Sequence, residues 1–285
     1  MADRLRSLWD FDDLDATERR FRDRLAAEAD GGPRAEVLTQ IARVHGLRGD
    51  FDEGERVLED AEASAGESPA AQVRIDLERG RLRRSSGDRK AALPLFESAF
   101  EAASEAGELD LAADAAHMAA LAAPDRDGFI SWTARGLELV DSADASVRYW
   151  LGPLLNNLGW EHYEAGAYDD ALDAFERALR ERERDPEQSE AIEIARYALG
   201  KTLRALERPA EAAAQLEHAV RWAEREGRPD GWFHEELAED YAALGRTADA
   251  REQARHALEL LPAADSTFDL DGERAARLRR LAEAT

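Results

Sequence analysis

Residues 156–183 read NNLGWEHYEAGAYDDALDAFERALRERE. Two helical patterns flank the turn at Gly166, a residue that accepts the positive φ a helix needs to stop abruptly. Counted from Gly159, the marks are Gly166, Tyr168, Ala171, Phe175 and Ala178, at offsets of seven, nine, twelve, sixteen and nineteen. The same offsets recur. Ala42, Gly49, Phe51, Gly54, Leu58 and Ala61 match them, as do Gly80, Gly87, Arg89, Ala92, Phe96 and Ala99. Gly200, Glu207, Pro209, Ala212, Leu216 and Ala219 follow, then Ala238, Gly245, Thr247, Ala250, Ala254 and Ala257. A degenerate copy places His117 at the small position and Pro124 at the turn. A small residue at the first mark lets two helices approach closely, and the large residue sixteen positions on fills the wedge between them.

The small positions fall at 42, 80, 117, 159, 200 and 238. A period of this length signals a solenoid of helix pairs. Leu155, Leu158, Gly159, Gly166, Tyr168, Ala171, Phe175 and Ala178 resemble the tetratricopeptide repeat, and the resemblance covers residues 35–262. It implies an all-α fold, a right-handed α-solenoid of about six helix pairs. The repeats are expected at about 35–66, 69–105, 108–141, 146–184, 187–226 and 230–262, within a solenoid spanning 33–262. An extra helix precedes it in 1–32, and a capping helix follows in 263–285, each supplying the polar outer face that a terminal repeat needs. Ser68-Pro69 and Asp185-Pro186 read as helix starts. If the fourth repeat's first helix begins near Ser146, Pro153 lies inside it and kinks it. In the second repeat, Asp76, Arg79 and Arg83 take places where packing residues belong, and Asp76 is spaced to pair with Arg79.

The charge is lopsided. Asp and Glu number 62 against 38 Lys and Arg, for a formal net charge of −24, and Lys90 and Lys201 are the only lysines. Such a field repels nucleic acid and anionic membranes alike. It fits a halophile's cytoplasm, or an acidic protein of a GC-rich genome. No run is long and apolar enough to span a membrane, and the opening residues show no secretory h-region, so the expected location is cytoplasmic. Without cysteine there is no disulfide, thiolate metal site or thiol nucleophile.

Catalytic signatures are missing: no phosphate-binding glycine loop, nucleophile elbow or HExxH is present. His45 and His162 recur at one repeat position and read as packing. The acidic runs WDFDDLDATE and TFDLDGE do not fit a calcium loop and read as helix caps. The expectation is therefore a non-enzyme with no cofactor and no metal.

The resemblance also implies which places face a ligand. They lie three and six residues before each small position, and one and four after it. These places hold Asn156, Trp160, Tyr163, Tyr197, Lys201, Arg204, Arg43, Arg81 and Met118, a set rich in aromatics and, against the trend of the chain, in cations. The expected function is a protein–protein interaction scaffold or adaptor. It would hold a peptide or partner protein, with acidic groups meeting Lys201 and Arg204, in the concave groove. Two other readings stay open: a ligand- or peptide-sensing regulator acting in trans, and a self-associating structural protein, for example a homodimer. Lysine and asparagine are not repeated as a C-terminal carboxylate clamp would require, so Asn157 has no clamp partners.

Overall fold

The computed structural model describes residues 4–29, 31–143 and 145–284, and these are built of fourteen α-helices and three short 3-10 turns with no strand among them. Helix α1 (Leu14–Ala27) comes first. Six consecutive pairs follow: α2 (Gly32–Arg48) and α3 (Phe51–Ala65), α4 (Pro69–Ser85) and α5 (Arg89–Ala106), α6 (Leu109–Ala122) and α7 (Arg126–Ser142), α8 (Leu151–Glu164) and α9 (Tyr168–Arg182), α10 (Ser189–Ala205) and α11 (Pro209–Arg225), α12 (Gly231–Ala243) and α13 (Thr247–Ala264). Helix α14 (Glu273–Glu283) is last. Of the expected loops between repeats, DSADAS includes Asp144, which lies outside the described residues.

The repeated marks have a steric cause. A Cβ built on Gly159 would stand 2.5 Å from the Phe175 ring, and one on Gly80 would stand 2.5 Å from the Phe96 ring. Both rings are fully buried. In these two pairs the glycine on the first helix is thus the space that the phenyl ring of the second occupies.

The turns follow equally directly. Gly166 ends α8 with φ +74°. The Gly166 N–H donates to the Tyr163 carbonyl at 3.0 Å and the Ala167 N–H to that of His162 at 2.9 Å. Glu207 ends α10 in the same way with φ +59°, the one non-glycine with positive φ among the described residues. Its N–H donates to the Arg204 carbonyl and that of Arg208 to Leu203, both at 2.9 Å. A side chain in this conformation costs about 1–2 kcal/mol, and Pro209 at the first turn of α11 helps to offset it by fixing φ for the next helix.

Packing divides the chain into two compact units, Met1–Leu154 and Leu155–Thr285. In unit 1 one core gathers Leu5, Phe21, Ile41, Leu58 and Ile75, and another Leu77, Phe96, Phe100, Met118 and Trp132. In unit 2 Phe175 and Leu199, Leu216, Phe233 and Tyr241, and Leu261, Phe268 and Leu278 form successive clusters.

Three local expectations change. Pro153 does not kink a long helix, because residues Ala145–Trp150 form a 3-10 turn and α8 starts at Leu151. Proline is then in the first helical turn, where no N–H is needed. Asp185-Pro186 opens a 3-10 turn, Pro186–Gln188, and the α-helix begins one turn later. Arg79 does not pair with Asp76. Its guanidinium reaches across to α3, donating to Glu55 at 2.6 Å and Glu62 at 2.7 Å. Asp76 accepts from Ser98 of α5 at 3.1 Å. The polar residues of the second repeat thus pack by pairing between helices.

Candidate functional site

In unit 2, the first helices of successive pairs and α14 build an open cleft of about 980 Å³. Tyr163 enters from α8, and Tyr197, Lys201 and Arg204 from successive turns of α10. Trp232, Glu235 and Glu236 come from the start of α12, and Glu273, Arg274, Ala276, Arg277 and Arg280 from α14. The α12 residues are held in place by its cap: the Asp230 carboxylate accepts from the backbone N–H of Trp232 at 2.8 Å and of Phe233 at 3.3 Å.

Five cations and three carboxylates line this cleft, in a chain whose net charge is −24. The carboxylates at its floor are almost inaccessible, Glu235 being 3% and Glu236 5% exposed. Each is shared by two cations. Lys201 Nζ is 2.9 Å from Glu236 Oε1, and Arg204 pairs with Oε2 of the same group. Arg274 chelates Glu235 through Nε at 2.7 and 2.9 Å, and Arg277 approaches it at 3.5 Å. Burial alone would raise the pKa of Glu236, but the charges of Arg204 and Lys201 overcome it and hold the carboxyl below its ordinary range. Burial, with Glu236 nearby, pushes the Tyr197 hydroxyl up to about 12, so the phenol stays neutral. Arg280, by contrast, is exposed and makes no ion pair among the described residues.

Asp240 lies behind the cleft, fully buried and 3.5 Å from Arg204. Burial pushes its carboxyl up to about 7, against the pull of Arg204 and with the repulsion of Glu236. The folded chain therefore holds this proton where the unfolded chain has released it. That stability is present in full below about pH 4 and is lost as pH rises through about 7. Asp240→Asn, which keeps the neutral shape, is expected to be more stable than the parent at pH 8 by up to about 4 kcal/mol. The difference should vanish at pH 4, as read by urea titrations at both values.

The nine residues singled out from sequence separate as follows. Tyr163, Tyr197, Lys201 and Arg204 line the cleft together. Trp160 does not: its ring packs edge-on against Phe175 at 5.2 Å and stands 5.6 Å from Tyr163 and 6.4 Å from Tyr197, so it supports the aromatic wall from behind. Asn156 is also outside the lining, with its Oδ1 buried. Arg43, Arg81 and Met118 belong to unit 1. Arg81 is committed to Asp114, at 2.5 and 2.6 Å, and to Glu78 at 2.6 Å. Met118 is 8% exposed and packs into a core cluster, and its remaining surface lines a small pocket of about 170 Å³ together with Arg43 and Arg81. Arg43 lies 3.9 Å from Glu78 and 5.2 Å over the Trp9 ring.

Trp232, six residues before Ala238, falls at a ligand-facing place by the repeat rule and does line the cleft, whereas Arg274, Arg277 and Arg280 lie beyond the repeats, where that rule does not reach. The signal was there: α14 carries four arginines and two glutamates, the reverse of the chain's balance. Its opposite face, Ala275, Leu278 and Ala282, packs into the last core cluster, so the helix both ends the stack and walls the cleft. No group of three His, Asp or Glu side chains among the described residues is placed to hold a metal ion. No helix among them is long and apolar enough to cross a membrane.

Family comparison agrees with this architecture. Models of the tetratricopeptide repeat match residues 152–185 and 194–226. The chain carries tetratricopeptide repeats. No curated protein matches this tetratricopeptide-repeat chain in sequence. Solved structures share its fold. RapI in its apo form is 12% identical with a TM-score of 0.66, covering 87% of this chain and 68% of RapI. BtubC from P. vanneervenii is 19% identical with a TM-score of 0.58, covering 79% and 93%. NprR in complex with its cognate peptide NprX is 18% identical with a TM-score of 0.52, covering 97% and 80%.

Proposed function

We propose that this tetratricopeptide-repeat chain is a protein-interaction scaffold whose unit 2 cleft takes an extended segment of a partner protein. That segment carries acidic groups together with at least one aromatic or large apolar side chain. The observation that carries the reading is the composition of the cleft. Tyr163, Tyr197 and Trp232 offer ring surface, while four of the five cations share two nearly buried carboxylates and the fifth, Arg280, is in no ion pair among the described residues. An acidic ligand gains the unneutralised part of that charge, and Arg280 has donors to give it without breaking an existing pair. The fold likeness to NprR, a structure with a bound cognate peptide, supports a peptide as the ligand.

Labelled nonapeptides that share a central aromatic residue and carry three glutamates or three glutamines provide the test. The acidic set is expected to bind at least tenfold more tightly, with affinity falling as salt rises. Arg280→Glu, which leaves every ion pair of the fold in place, is expected to abolish most of that preference. Equal binding of both sets, or an acid preference indifferent to Arg280→Glu, would count against the assignment.

A further inference from the structure

Unit 1 presents the corresponding face of α2, α4 and α6, but there a stretch of the chain lies over it. Residues Arg4–Phe11 precede α1 and contain only the three-residue 3-10 turn Arg6–Leu8. Side-chain anchors hold the segment. Leu5 is 1% exposed and joins the core cluster of Phe21 and Ile41. The Trp9 indole N–H donates to Gln40 Oε1 of α2 at 2.9 Å, and its ring stacks on Phe11 at 4.8 Å. The Arg6 guanidinium lies 3.6 Å over the ring of Tyr149, whose hydroxyl donates to Asp110 of α6 at 2.5 Å. Between the anchors Ser7 and Asp10 face solvent, and the Arg6 and Phe11 side chains keep much of their surface exposed, Phe11 60% of it.

A few deep anchors separated by exposed residues are how a bound peptide is held. The two units show what the segment does to the space. The cleft of unit 2 is about 980 Å³. In unit 1 the cavity bounded by Arg6, Trp9 and Phe11 on one side and Leu77, Glu78 and Asp114 on the other is about 340 Å³.

We propose that Arg4–Phe11 is an internal ligand of unit 1. It occupies a second peptide-binding face, and the partner that face admits is a segment of like chemistry, an arginine followed three and five residues later by aromatic rings. This site is separate from the cleft of unit 2 and selects a basic–aromatic rather than an acidic segment. Tethering gives the internal segment an effective concentration in the millimolar range. A free segment with the same contacts therefore binds only when the internal one is weakened.

The probe is a labelled synthetic peptide RLRSLWDF, the sequence of residues 4–11, added to the full chain. Leu5→Ala/Trp9→Ala, which removes two anchors of the internal copy, is expected to bind the peptide at one to one and at least tenfold more tightly than the parent. The gain should be lost when the tryptophan of the peptide is replaced by alanine. No binding by this variant with its helicity intact, or equal binding by variant and parent, overturns the proposal. Should the variant lose helicity, Arg6→Ala/Phe11→Ala replaces it, since both side chains are exposed and the core is untouched. A severalfold gain over the parent is then expected, and no gain overturns the proposal.

Discussion

Phe175→Ala is expected to destabilise unit 2 by about 3–5 kcal/mol, the cost of emptying a fully buried aromatic site. The ring fills the space left by Gly159 and supports Trp160, whose centroid is 5.2 Å away. Trp160 in turn stands 6.4 Å from Tyr197 in the cleft wall. Cavity and cleft are thus linked through one indole, and the variant should weaken acidic-peptide binding even where it remains folded. The complementary change makes the cause explicit. Gly159→Ala places a Cβ 2.5 Å from the ring, which is overpacking worth about 1–3 kcal/mol. Adding Phe175→Leu to Gly159→Ala should return part of that loss, since a shorter side chain makes room for the methyl. Urea unfolding followed by tryptophan fluorescence measures these variants together with Phe175→Leu alone, and additive losses in the double variant would refute the wedge account.

Glu236→Ala is expected to cost about 3–5 kcal/mol, because it strands two cations at a nearly buried position. Lys201 and Arg204 both depend on this carboxylate, and Asp240, the other acid near Arg204, resists ionisation by virtue of its burial. The contribution should persist in 1 M salt, since a buried pair is little screened, whereas the exposed helix-surface pairs lose theirs. Replacing the group as a whole with Glu236→Leu, Lys201→Met and Arg204→Met should recover most of the stability, and at the same time remove the acid preference proposed for the cleft. Thermal and urea unfolding of the single and triple variants at two salt concentrations decide the matter. A triple variant no more stable than Glu236→Ala would show that the cluster itself, rather than the stranding of its cations, carries the stability.

How far the sequence revealed this can be judged residue by residue. Gly159 with Phe175, and Gly80 with Phe96, are separated by a fixed sixteen positions, so helix pairing was legible from spacing alone. Tyr163, Tyr197, Lys201 and Arg204 were legible too, because repeat position determines the face a residue occupies. The charge state of that face was not. Lys201 finds Glu236 thirty-five residues on, and Arg274 finds Glu235 thirty-nine residues back. Those distances exceed one repeat's internal spacing and depend on how adjacent repeats stack. Trp9 and Phe11 were read only as part of an acidic run, since nothing local shows that a short 3-10 segment will fold back onto α2. Trp160 had the right position for the cleft, but its bulk and the bare glycine beside it turn the ring toward Phe175 instead.

The ion pairs follow a rule of their own. The cation just after one repeat's small position reaches an acid two or three places before the next one's: Arg43 to Glu78, Arg81 to Asp114, Lys201 to Glu236. Each of these three junctions is keyed, like a tongue cut for one particular slot. Were α10 and α11 excised so that α8 and α9 abutted α12, Trp160 would arrive where Lys201 belongs, and Glu236 would meet an indole. Modules that look interchangeable in outline are thereby fixed in their order, and a duplicated or shuffled copy would fit only beside the neighbour it was matched to.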